Sequence, residues 1–175
     1  MRWMWIDRIV ELVPGEKLVA IKHISLAEEH LHDHFPGTAN RKPMPIMPMS
    51  LIVEGMAQTA GVLVGHAEGF KQKVVLAKVA KAELSREATP GCTLQYTATI
   101  EQFTPVGAST KGVVELIEPA KPGQGAQPAE VIGTIDLLFS HLDNNMSGAR
   151  YPEENFVFSE SFKTLMETSG IAADF

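Results

Sequence analysis

Ser50-Leu51-Ile52-Val53-Glu54-Gly55-Met56-Ala57-Gln58-Thr59-Ala60-Gly61-Val62-Leu63-Val64-Gly65-His66-Ala67-Glu68 decides the fold. Ser50 is a candidate N-cap, and Leu51–Glu68 has the composition of a helix. Leu51, Ile52, Val53, Met56, Ala57, Ala60, Val62, Leu63 and Val64 leave it no solvent-facing stripe, so the rest of the chain must enclose it. Gly55, Gly61 and Gly65 each cost about 1 kcal/mol of helix propensity against Ala, and let surrounding backbone come close. With Glu54, Gln58 and three glycines, the stretch falls short of the roughly 20 apolar residues of a membrane span.

Strand patterns lie on both sides of this helix. Before it, Ile6–Leu12 and Lys17–Ser25 read as strands joined by a Pro14-Gly15 turn, the second with a bulge where its alternation slips. Leu26–His34 reads as a short helical turn leading into a loop, and four prolines keep Phe35–Met49 irregular. After the helix, Val74–Leu84, Thr93–Phe103, Thr110–Ile117 and Glu130–Phe139 are rich in β-branched and apolar residues. Six strands and one buried helix predict an α+β fold, a strongly curved antiparallel sheet wrapped around a central helix. Leu142–Tyr151 reads as a polar loop, and Ser159–Glu167 as a short amphipathic helix using Phe162, Leu165 and Met166.

Composition narrows the function classes. A chain of 175 residues suits one domain with a full core. A formal charge of -6 argues against a general nucleic-acid or anionic-membrane binder, which favours a basic surface. The single cysteine, Cys92, rules out an intrachain disulfide framework and a cysteine-based metal site. Met1–Val10 is too short and too charged for a secretory signal, so the expected location is the cytoplasm.

Chemistry concentrates in two places. Glu54 and Gln58 are four apart and share a helix face, where a buried carboxylate is costly unless it is satisfied or functional. His30, His32 and His34 alternate beside Glu28, Glu29 and Asp33, which admits a zinc or iron site or a solvated histidine-rich loop. His34 differs because the Phe35-Pro36-Gly37 turn follows it and can expose its ring at a cavity mouth.

His34-Phe35-Pro36-Gly37, Met47-Pro48, and Leu51-x-x-Glu54-Gly55-Met56-Ala57-Gln58 together resemble the hot-dog-fold β-hydroxyacyl-(acyl-carrier-protein) dehydratases of the FabZ type. The resemblance spans Met4–Leu142, dividing the chain into a hot-dog domain over 1–142 and an extension over 143–175. It implies dehydration of (3R)-3-hydroxyacyl thioesters to trans-2-enoyl thioesters in fatty-acid or related lipid synthesis, with no metal and no cofactor. His34 would be the base and Glu54 the acid, with Phe35, Gly37, Met49 and Gln58 against the substrate. A histidine, with an ordinary pKa near 6.5, suits base duty at neutral pH. A carboxylic acid in apolar surroundings can keep the proton it must deliver.

The family arrangement also implies a homodimer in which His and Glu meet across the interface, able to assemble further into a hexamer. Arg41, Lys42, Lys78, Lys81 and Arg86, with Lys71 and Lys73 nearby, form a basic set in an acidic chain suited to an acidic acyl carrier protein and its phosphopantetheine. The chain departs from the family in two ways. Met49 stands where Met-Pro-Gly has its glycine, and the Pro36–Met47 loop is longer, with Asn40-Arg41-Lys42-Pro43 added. The alternatives are a hot-dog acyl thioesterase and a non-catalytic acyl-binding or assembly subunit of the same fold.

Overall fold

The computed structural model describes residues 3–120, 122–123, 125, 127–142 and 157–172. In chain order the elements are β1 (Arg8–Val13), β2 (Lys17–His23), α1 (Glu29–Asp33), α2 (Met49–Ala67), β3 (Val74–Leu84), β4 (Thr93–Thr104), β5 (Gly107–Ile117), β6 (Glu130–His141) and α3 (Glu160–Thr168). Among the described residues, the strands form one antiparallel sheet in the order β1-β2-β4-β5-β6-β3. This is the expected α+β arrangement: β2 through β6 all touch α2, so the sheet curls around it.

Burial along α2 follows from its composition. Ile52, Met56, Ala60, Val62, Leu63 and Val64 are at most 1% exposed, which an all-round apolar helix requires. No helix among the described residues is long and apolar enough to cross a membrane. The two glycines at the helix ends are points of close approach. A Cβ on Gly55 would stand 2.6 Å from the Tyr96 ring and hydroxyl and 2.9 Å from the Trp5 carbonyl oxygen. The buried Tyr96 hydroxyl has no hydrogen-bond partner among the described residues, and burial raises its pKa far above the usual phenol range.

Several boundaries differ from those expected. α2 starts at Met49, so Ser50 lies in its first turn, and Pro48 occupies the N-cap with no side-chain bond. Proline's preset φ and missing N–H suit a helix entrance, where N–H groups lack intrahelical partners anyway. The bulge is in β1, between Ile9 and Glu11, while the β2–β4 register runs without a shift. β5 begins at Gly107, because the tight Pro105-Val106 turn pairs Thr104 with Gly107 directly. The expected Phe35–Met49 loop holds one isolated bridge, Thr38 to Arg41. Nearly all of the expected Leu142–Tyr151 loop lies outside the described residues. α3 falls one residue later than expected, and Leu165, Met166 and Phe158 join the same hydrophobic core as α2.

Candidate active site

Glu54 occupies the second turn of α2 with Gln58 one turn on, and the two side chains meet: Gln58 Nε2 donates to Glu54 Oε1 at 3.0 Å. The same amide donates to the Trp3 carbonyl at 2.9 Å, and its Oε1 accepts the Trp5 N–H at 2.8 Å. Gln58 is 7% exposed, so these bonds fix the orientation of the amide and tie the N-terminal segment to the carboxylate. Glu54 is half-buried and lines an apolar cavity of about 430 Å³ that continues along Ala57 and Gly61 to Phe139 of β6. A carboxyl group held this way has one oxygen committed to Gln58 and one facing no described partner.

His34 caps the short helix α1, its N–H donating to the His30 carbonyl at 3.0 Å. Its exposed ring lies 4.2 Å from that of Phe35. The turn that follows is stitched by backbone: Met44 N–H donates to the Phe35 carbonyl at 3.1 Å, and Met47 N–H to the Ala88 carbonyl at 2.8 Å. Gly37 lies in the fold of this turn, where a Cβ would come 3.1 Å from Pro43 Cδ. His34, Phe35, Met47, Met49, Leu84 and Arg86 line a cleft of about 300 Å³. The N-terminus of α2 opens beside it. Leu51 and Ile52 N–H groups both donate to Pro48, and no acceptor among the described residues meets those of Met49 and Ser50. Free N–H groups at a helix start are a ready site for developing negative charge. Met49 reaches this position without left-handed backbone, since Phe70 is the one such non-glycine among the described residues.

Within one chain, His34 and Glu54 line separate cavities. The sequence places both in one motif, but the single fold does not bring them together. β3 is an edge strand of eleven residues, paired on one side to β6, with Leu76 40% and Val79 42% exposed. A long edge with apolar residues in the open is a template for a second chain.

The rest of the expected site divides sharply. His30 turns inward, with its Nε2 3.3 Å from Met47 Sδ and its ring 5.0 Å from that of Trp5. Burial lowers its pKa, Lys22 and His34 adding to the shift and Glu28 opposing it. His32 stays exposed, and no group of three His, Cys, Asp or Glu among the described residues is placed to hold a metal. Of the basic set, Lys42, Lys71 and Lys78 are exposed. Arg41 donates to the Pro36 carbonyl at 3.0 Å and stands over the Phe35 ring. Lys81 pairs with Glu83 at 3.0 Å. Two members do not fit a docking face: Lys73 is buried, and Arg86 is held between Glu118, at 2.6 Å, and Glu130. Sequence reasoning missed Trp3 and Trp5, whose backbone groups complete the Gln58 network more than fifty residues away.

A curled six-stranded sheet around an enclosed helix is the hot-dog fold, and solved structures share it. A chain of the dehydratase heterocomplex ApeI:P from Xenorhabdus doucetiae aligns with a TM-score of 0.57 at 14% identity, covering 81% of this chain and 85% of that one. A mutant acyl-CoA hydrolase from Staphylococcus aureus aligns with a TM-score of 0.53 at 14% identity, covering 88% and 84%. These likenesses define the class by fold alone, since the fold hosts both chemistries. Sequence goes further: residues 2–115 match the FabA-like domain, and the chain belongs to that family. It is 34% identical over 138 residues, 78% of its length and 86% of the relative's, to a protein of Caldanaerobacter subterraneus named 3-hydroxyacyl-[acyl-carrier-protein] dehydratase FabZ. A protein of the same name from Acetivibrio thermocellus is 33% identical, over 82% of this chain and 87% of that one.

Proposed function

We propose that this protein removes water from (3R)-3-hydroxyacyl thioesters carried on acyl carrier protein, giving trans-2-enoyl thioesters in fatty-acid or related lipid synthesis. The observation that carries the reading is the Glu54–Gln58 pair at an apolar cavity, in a chain 34% identical to a FabZ dehydratase. His34 takes the proton from the carbon next to the thioester, and the Met49 N–H at the start of α2 meets the enolate oxygen. The carbon–oxygen bond breaks as Glu54 gives its proton to the departing hydroxyl, forming water and leaving the double bond. Solvent then returns the proton from His34 to Glu54. Gln58 acts as a positioning residue, holding the carboxyl by one oxygen. The reaction calls for neither metal nor organic cofactor.

Two copies complete the site. Pairing of the β3 edges would join two sheets and set His34 of one copy against Glu54 of the other, so the working unit is a homodimer, with a trimer of dimers as the larger assembly. Arg41, Lys42, Lys78 and Lys81 face the acidic carrier protein, and the same reading has the enzyme acting in the cytoplasm. The test is a turnover assay on 3-hydroxyacyl thioesters that follows enoyl product and released thiol in parallel. Enoyl product supports the dehydratase. Thiol alone means a thioesterase, and neither signal means an acyl-binding subunit.

A further inference from the structure

The cavity that begins at Glu54 does not end on the sheet. Its far wall comes from the segment after β6, where Val157, Phe158, Ser161 and Phe162 line the same space as Gly61 and Phe139. This segment lies beyond residues 2–115, where the FabA-like match ends, yet it is built into the core. Phe158 is 6% and Met166 0% exposed, and Ser169 Oγ accepts the Ile9 N–H at 3.0 Å.

The central helix is shaped to receive it. A Cβ on Gly65 would lie 2.8 Å from Phe158 Cε2, closer still to Cζ, and 3.0 Å from Phe70 Cδ1. Phe70 is held at φ +57°, a conformation that a bulky side chain adopts only under constraint, with its ring centroid 4.9 Å from that of Phe158. The Phe158 ring in turn lies 5.9 Å from Phe162. Gly61, one turn earlier, is different: a Cβ there would meet only Phe139 Cε1, at 3.6 Å. Gly65 admits a side chain, whereas Gly61 leaves open space.

We propose that the aromatic segment Phe158–Phe162 is the end wall of the acyl pocket and sets the longest acyl chain the enzyme accepts. The inference rests on the dehydratase reading, in which the thioester sits at Glu54 and the acyl chain runs past Ala57 and Gly61 toward Phe162. A methylene that reaches the wall must displace a ring from a packed cluster, and a single methylene in an apolar pocket is worth roughly 10-fold or more in kcat/KM. Phe162 is the half-buried member of the pair, where Phe158 is buried.

The test uses full-length wild type, Phe162→Ala and Gly61→Ala with carrier-bound substrates from 3-hydroxybutyryl to 3-hydroxypalmitoyl, reading the ratio of long-chain to short-chain kcat/KM. Phe162→Ala is expected to raise that ratio about 10-fold, and Gly61→Ala, which fills the open space, to lower it by a similar factor. If Phe162→Ala does not fold, Phe162→Leu, which shortens the same wall side chain, takes its place and is expected to raise the ratio in the same direction. Ratios that stay at the wild-type value in the folded variants overturn the wall while leaving the dehydratase standing. Absence of enoyl product from wild type at every chain length overturns the reading beneath it as well.

Discussion

The two halves of the site are built by opposite means. Glu54 stands on a helix of nineteen residues enclosed by five strands, and Gln58 ties its carboxylate to two points on the N-terminal segment. His34 stands at the end of a helix of five residues, exposed, with its loop held by scattered backbone bonds. The contrast suits the two tasks. In the proposed mechanism, enclosure fixes the acid against the departing hydroxyl, while exposure lets the base exchange its proton with solvent. Damage to the first half should therefore register as lost stability and lost activity together, and damage to the second as lost activity alone.

The largest effects test the division directly. His34→Ala and Glu54→Gln should each lower kcat by about 10²–10⁴-fold with the oligomer intact by light scattering. Mixing the two inactive variants under subunit exchange should restore activity. About half the dimers would be mixed, each with one intact site of two, giving about a quarter of the wild-type rate. A mixture as inactive as its parts would mean that each site lies within one chain.

Gln58→Ala should separate the halves by stability. It strands the buried Trp5 N–H and lowers the unfolding free energy by about 1–3 kcal/mol in urea, with kcat falling too. His34→Ala, at an exposed position, should shift the same curve by less than about 0.5 kcal/mol. Equal shifts would erase the distinction. Gly55→Ala should act more weakly: overpacking against Tyr96 costs about 1–3 kcal/mol and helix propensity returns about 1 kcal/mol, leaving a lower melting temperature. An unchanged or raised one would show that Tyr96 yields.

The smallest effect is a pH dependence from His30. Burial holds its pKa below 6.5, so between that lowered value and 6.5 the unfolded chain carries the extra proton, and stability rises with pH. Acidification from about pH 7 to about pH 5.5 should therefore weaken wild type more than His30→Gln, as read from urea midpoints. A variant that loses as much as wild type would assign the acid sensitivity elsewhere.

Most of this fold was legible because its signals are local. Runs of apolar and β-branched residues marked six strands, and a helix over Leu51–Val64 apolar nearly all round, save for Glu54 and Gln58, announced enclosure. Local patterns misplaced edges where a partner decides them, as at Gly107, whose strand identity comes from Thr104 across the turn. The site was half legible. His34 and Glu54 could be picked out by motif, but twenty residues of spacing say nothing about whether they share a cavity. Gln58 could be seen to reach Glu54, one turn away, whereas its bonds to Trp3 and Trp5 exist only once the chain has folded. Gly55 lies against Tyr96, a residue on β4 that no local pattern connects to it.

Enclosure of the central helix carries a kinetic cost during synthesis. α2 is complete at Ala67, but β4, β5 and β6, which close over it, are finished only at His141. At about 5–20 residues per second, the ribosome leaves this helix incompletely covered for roughly 4–15 s. The last strand made, β6, is also the partner of β3, which has waited since Leu84 with both edges unpaired. The helix that bears Glu54 therefore waits for its full cover until the last strand of the sheet has been made.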